Sequence, residues 1–163
     1  MADLLECLIQ IKGVADTPRR LGARWSELRT LRGDAASASV GTRVFATMSD
    51  AETRFQHCLK LMLANDRPSL PSLGSRPDRE PRDPETGCEH ANGRAVARVE
   101  QRAARFTAAR AETVVVLDRC TAEDLNRVGL EPTRGPMTVA DLVALMLAHD
   151  TDQLARLVEA AHS

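Results

Sequence analysis

Four side chains interrupt otherwise apolar helical stripes with groups able to bind a ligand or move a proton: Thr47, Arg110, His149 and Gln153. His149 and Gln153 belong to the stretch MTVADLVALMLAHDTDQLARLVEAA, residues 137–161. They stand four residues apart, the spacing at which two helical side chains lie side by side and can share one ligand. An imidazole so placed can be a general base, a metal ligand or a satisfied core group. Arg110 is either an anion anchor for a carboxylate or phosphate, or one half of an internal pair with Asp50 or Glu52. Left unpaired in a core, each such group costs about 1–3 kcal/mol, so each needs a partner or lines a cavity. Asp150 and Asp152, beside the pair, are expected on flanking faces. Cys88-Glu89-His90 offers a thiol and an imidazole, but in a Pro/Gly-rich stretch with no second pair it reads as surface loop.

The elements that position these residues are helical. A first block, about 2–32, carries Leu4, Leu5, Leu8 and Ile11, then Leu21, Trp25 and Leu28. Asp16-Thr17-Pro18 inside it looks like an N-cap followed by proline at a first helical position, so the block is expected to kink or divide there and to end near Gly33-Asp34. A second block, about 37–65, places Val44, Thr47, Met48, Ala51, Phe55, Leu59 and Met62 on one face. A third, about 91–119, does the same with Val96, Val99, Ala103, Phe106, Arg110, Thr113 and Leu117. Its Arg98, Arg102 and Arg105 fall on the other side and read as a solvated face. Val114-Val115-Val116 is locally strand-prone, but the longer helical period should override it. The fourth block opens on Thr138 as N-cap with Asp141 three residues on, and runs to about 161. Thr121-Ala-Glu-Asp is a capping box for a short turn, and Glu131-Pro-Thr-Arg-Gly-Pro reads as loop; no strand-like alternation appears.

Between the second and third helices, five of the eight prolines fall in DRPSLPSLGSRPDREPRDPETGCEHANG. Proline inside a helix costs about 3 kcal/mol, so residues 66–90 are expected to form an irregular crossover. Helices joined by a long crossover can lie parallel, whereas short turns force antiparallel neighbours.

Composition bounds the rest. The 163 residues suit one domain spanning 1–163, with one Trp, three Phe and no Tyr. A core of Leu, Val, Ala and Met suits closely packed helices better than sheets. The net charge of -1 excludes a general nucleic-acid or membrane-surface binder. Lys12 and Lys60 are the only lysines, an arginine bias expected of a GC-rich bacterial genome. No apolar run reaches the ~18 residues of a membrane span, and MADLLECLIQIKG lacks the basic region and cleavage site of a signal peptide. Cys7, Cys58, Cys88 and Cys120 show no CxxC pairing and are expected to be reduced thiols in a cytoplasmic protein.

In order and spacing, the chain resembles the DinB-like superfamily of bacterial four-helix-bundle proteins. The resemblance runs from about Asp16-Thr17-Pro18 to the end. Its best stretches are TMSDAETRFQHCLKLML (47–63), FTAARAET (106–113), and MTVADL with LAHDTDQ between 137 and 153. The resemblance implies an antiparallel-type, all-α four-helix bundle with a cavity at one end, frequent pairing into homodimers and, in many members, a divalent metal held by three histidines. One of these lies on the second helix and two form His-x-x-x-His on the fourth. Some members are metal-assisted thiol transferases or related enzymes. The corresponding positions here are Thr47, His149 and Gln153, so one imidazole of three remains, and hydroxyl and carboxamide are weak ligands for zinc or nickel. His57, ten residues beyond Thr47, lies on another face.

Two readings stay open. In the first, the bundle keeps a polar pocket around Thr47, Arg110, His149 and Gln153 but has lost the metal, and it binds a small molecule or partner with Arg110 as anion anchor. In the second, it is a metal-dependent transferase or hydrolase with substituted ligands, zinc or nickel on His149, or His149 acting as general base. Whether the chain is an enzyme is left open.

Overall fold

The structure, a computed structural model, describes residues 4–74 and 89–163, the latter without the side chains of 89–92. The long helix α1 (Leu4–Ala64) is two helical arms meeting at Gly33, whose φ of 76° and ψ of 168° break the helical path. That conformation is closed to residues with a Cβ, so glycine sets the turning point. Ser37 secures the turn, its hydroxyl donating to the carbonyls of Gly33 and Leu28. The expected division at Asp16-Thr17-Pro18 does not occur: Pro18 lies inside a continuous first arm. Proline removes one ladder bond there, and a tertiary partner compensates for it.

Helix α2 (Glu89–Leu117) carries the strand-prone valines as helix. A single turn α3 (Ala122–Leu125) and helix α4 (Val139–His162) both open on complete capping boxes, at Thr121/Asp124 and Thr138/Asp141. Between them, residues expected as loop form a hairpin of strands β1 (Val128–Glu131) and β2 (Gly135–Thr138), pairing Val128 with Thr138 and Glu131 with Gly135. Strands this short give alternation no room to show. Tertiary bonds hold the hairpin instead. The chain leaving α1 docks on it, with Leu70 N–H donating to Leu130 O and Leu130 N–H to Pro68 O. Glu131 ties the turn to this strap by accepting from Leu73, Thr133 and Arg134 N–H groups and the Thr133 hydroxyl. Burial works against its charge, yet these donors outweigh it and bring its pKa down to about 2. Arg127 then closes the end of α1, donating to the carbonyls of Met62 and Asn65.

Cross-helix contacts give the directions. Trp25 packs on Gly41, so the two arms are antiparallel; a Cβ at Gly41 would overlap the Trp25 ring and lie 2.8 Å from Val99, so only glycine allows this approach. Arg102 reaches the Thr42 carbonyl and Gln56 reaches Ala109 and Thr113, so α2 runs parallel to the second arm. Gly13 meets Leu147 and Thr17 meets Asp150, so α4 runs parallel to the first arm. The result is an all-α four-helix bundle, not of the wholly antiparallel type implied by the resemblance, because the second arm and α2, and the first arm and α4, run parallel. Residues 75–88, most of the expected crossover, lie outside the described residues.

The core has two apolar clusters. One, toward the hairpin, gathers Ile11, Val14, Phe55, Met62, Leu117 and Met146. The other, toward Gly33, gathers Leu21, Trp25, Phe45, Met48, Phe106 and Leu157. Buried polar residues fall between the two clusters: Thr17 and Glu52 on the arms of α1, Arg110 on α2 and Asp150 on α4.

Candidate binding site

The first arm places Thr17 and the Val14 carbonyl, the second arm Glu52, α2 Arg110 and Thr113, and α4 Asp150. All five side chains are at most 2 % exposed. Arg110 donates through Nε to Glu52 at 2.7 Å, through Nη1 to Asp150 at 2.5 Å, and through Nη2 to the other Asp150 oxygen at 3.1 Å. Thr17 donates to Asp150 at 2.7 Å, and Thr113 donates to Glu52. The guanidinium also lies 5.0 Å over the Phe106 ring. A last bond explains Pro18. A helical N–H bonds the carbonyl four residues earlier. Pro18 has no N–H, so the Val14 carbonyl is free, and Arg110 Nη1 donates to it at 3.1 Å.

The electrostatics follow from this satisfaction. Burial disfavours the Arg110 charge, but Asp150 and Glu52 outweigh it and push its pKa up. Burial likewise opposes the Asp150 charge; the adjacent His149, Arg110 and Thr17 outweigh it and hold the carboxyl below its ordinary range. Arg110 is therefore the centre of an internal ion cluster. The expectation of Arg110 as a pocket's anion anchor gives way to the paired alternative, with Glu52 and not the exposed Asp50 as partner. Asp150, expected on a flanking face, is buried. Helix α4 packs on both arms of α1, meeting Thr17 of the first and Phe55 of the second, so its buried sector is wider than one stripe. Asp152 is exposed.

Beside this cluster lie the other three candidates. His149 is half-buried, and its ring stands edge-on to Phe55 at 6.2 Å between centroids. Its Nδ1 is buried without a hydrogen-bond partner, 3.9 Å from Asp150 Oδ1, too far for a hydrogen bond. Gln153 is 3 % exposed, and its Oε1 is likewise buried and unpartnered. Thr47, on the second arm, is half-buried, and its hydroxyl donates to the Arg43 carbonyl at 2.9 Å. His149 and Gln153 thus share the inner side of α4, while no hydrogen bond joins Thr47 to either. His57 is exposed. Nothing in the sequence placed Thr17 and Asp150 in this cluster; Pro18 was the available signal for it, because it frees a buried carbonyl that some donor must meet.

The donors present do not fit a zinc or nickel centre. They are one imidazole, one carboxamide oxygen and a hydroxyl committed to a backbone carbonyl, where such ions favour His, Cys or carboxylate. Among the described residues no three His, Cys, Asp or Glu side chains gather into a metal-binding group. Cys88 and the side chains of Glu89 and His90 lie outside the described residues. Cys7 and Cys58 are buried free thiols, and burial pushes the Cys58 pKa up to about 11, away from reactivity. Among the described residues no helix is long and apolar enough to cross a membrane.

A family model described as the DinB superfamily matches residues 42–155. A solved structure with a TM-score of 0.63 and 14% sequence identity covers 99% of this chain and 89% of its own. It is YfiT from Bacillus subtilis, described as "a probable metal-dependent hydrolase with an unusual four-helix bundle topology". Comparison with curated proteins returns no match.

Proposed function

The chain belongs to the DinB superfamily, and from that premise we propose that it is a binding bundle that recognises a small molecule without a metal. The pocket would be formed by His149 and Gln153 of α4 with Thr47 of the second arm, and the Arg110 cluster would be its rigid wall. One observation carries this reading: two neighbouring polar atoms, His149 Nδ1 and Gln153 Oε1, are buried with no partner. Buried polar groups are almost always satisfied, so an unsatisfied pair at i, i+4 marks where an external partner would bond. In the neighbouring cluster, by contrast, every charged group is paired with an opposite charge.

Elemental analysis of protein purified without chelator tests the proposal. The expected result is zinc and nickel far below one per chain, unchanged in His149→Ala. A stoichiometric metal that disappears in His149→Ala would overturn it in favour of a metal-dependent hydrolase or thiol transferase with substituted ligands.

A further inference from the structure

Resting on that pocket reading, the surroundings of Gln153 also specify the chemistry of the ligand. We propose that the site takes a small molecule bearing a cationic N–H donor group, an amidinium or primary ammonium, and rejects carboxylates. The unpartnered Gln153 oxygen is an acceptor, so whatever satisfies it must donate.

Charge points the same way. The buried ionisable groups at this level of the bundle are Arg110, Glu52 and Asp150: two carboxyl groups against one guanidinium. Four of the five N–H groups of Arg110 already have acceptors, and its charge is met by two carboxylates, so it holds little attraction for a further anion. The acid nearest His149 is Asp150, whose Oδ1 lies 3.9 Å from Nδ1. An incoming carboxylate would meet an acceptor oxygen and an acidic neighbour; an incoming amidinium would meet complementary groups in both places. The edge of the Phe55 ring beside His149 supplies an apolar contact for the body of such a molecule.

Benzamidine and benzoate, nearly equal in shape and opposite in charge, separate the possibilities in a thermal-shift titration of the full chain at millimolar concentration. Benzamidine is expected to raise Tm by roughly 3–6 °C at about ten times its Kd, with no rise from benzoate. The rise should vanish in Gln153→Met, which keeps the bulk and removes the acceptor. It should grow in Gln153→Glu, which adds a full charge, each variant being compared with itself without probe. A benzoate rise that Gln153→Met abolishes would overturn the cationic class and leave the pocket standing. No rise with either probe would overturn both. A benzamidine rise that survives Gln153→Met would place the binding elsewhere and overturn this assignment.

Discussion

At Arg110 the cost of burying a charge is met by carboxylates from two other helices and by a carbonyl that Pro18 leaves free. Removing one member of a buried ion cluster leaves the rest uncompensated, which costs about 3–5 kcal/mol, whereas replacing the whole set with apolar groups can be neutral. Arg110→Met should therefore lose about 3–5 kcal/mol in urea unfolding. The triple variant Glu52→Leu, Arg110→Met, Asp150→Leu should recover most of that loss. Equal losses in the single and triple variants would show that the cluster adds stability beyond what packing can replace. The residue types here were legible in the sequence: Arg110 and Glu52 could be named as a pair. Asp150 could not, because a position one residue off the stripe is buried only when its helix packs against two neighbours.

At the scale of elements, the second arm carries Thr47 and α4 carries His149 and Gln153, the three positions at which the family resemblance implies imidazoles. If the backbone keeps that arrangement, side-chain chemistry alone separates this chain from a metal binder. The double variant Thr47→His, Gln153→His, with His149 retained, is expected to gain one zinc or nickel per chain and a higher Tm in its presence, while the parent gains neither. A double variant that folds and takes up no metal would show that the backbone, not only the donor set, has diverged. The capping boxes at Thr121 and Thr138 and the break near Gly33 are local, which is why the sequence announces them. The hairpin is not: its short strands depend on the strap at 68–73 and on Glu131.

For the molecule as a whole, one polar layer separates two apolar clusters, so protonating that layer bears on global stability. The Asp150 carboxyl is held below its ordinary pKa. It therefore stabilises the fold above the unfolded value of about 3.9, and the contribution is lost as pH falls through the lower folded value. Wild-type Tm should change little from about pH 7 to 5 and fall below about pH 4. Asp150→Asn should start lower at neutral pH and fall less steeply, because Asp16, Asp124 and Glu131, also held low, titrate in both proteins. Parallel curves for the two proteins would remove Asp150 from the acid transition.

Residue order alone was enough to place the helices, their caps, and the absence of histidine at positions 47 and 153. All of these follow from local propensity, spacing and residue identity. Only the tertiary structure decided that Arg110 faces two carboxylates rather than a ligand, that Pro18 sits within a helix, and that 128–138 pairs as strands. Each depends on groups distant in sequence meeting in a buried place, where an unmet hydrogen bond costs more than a broken local rule.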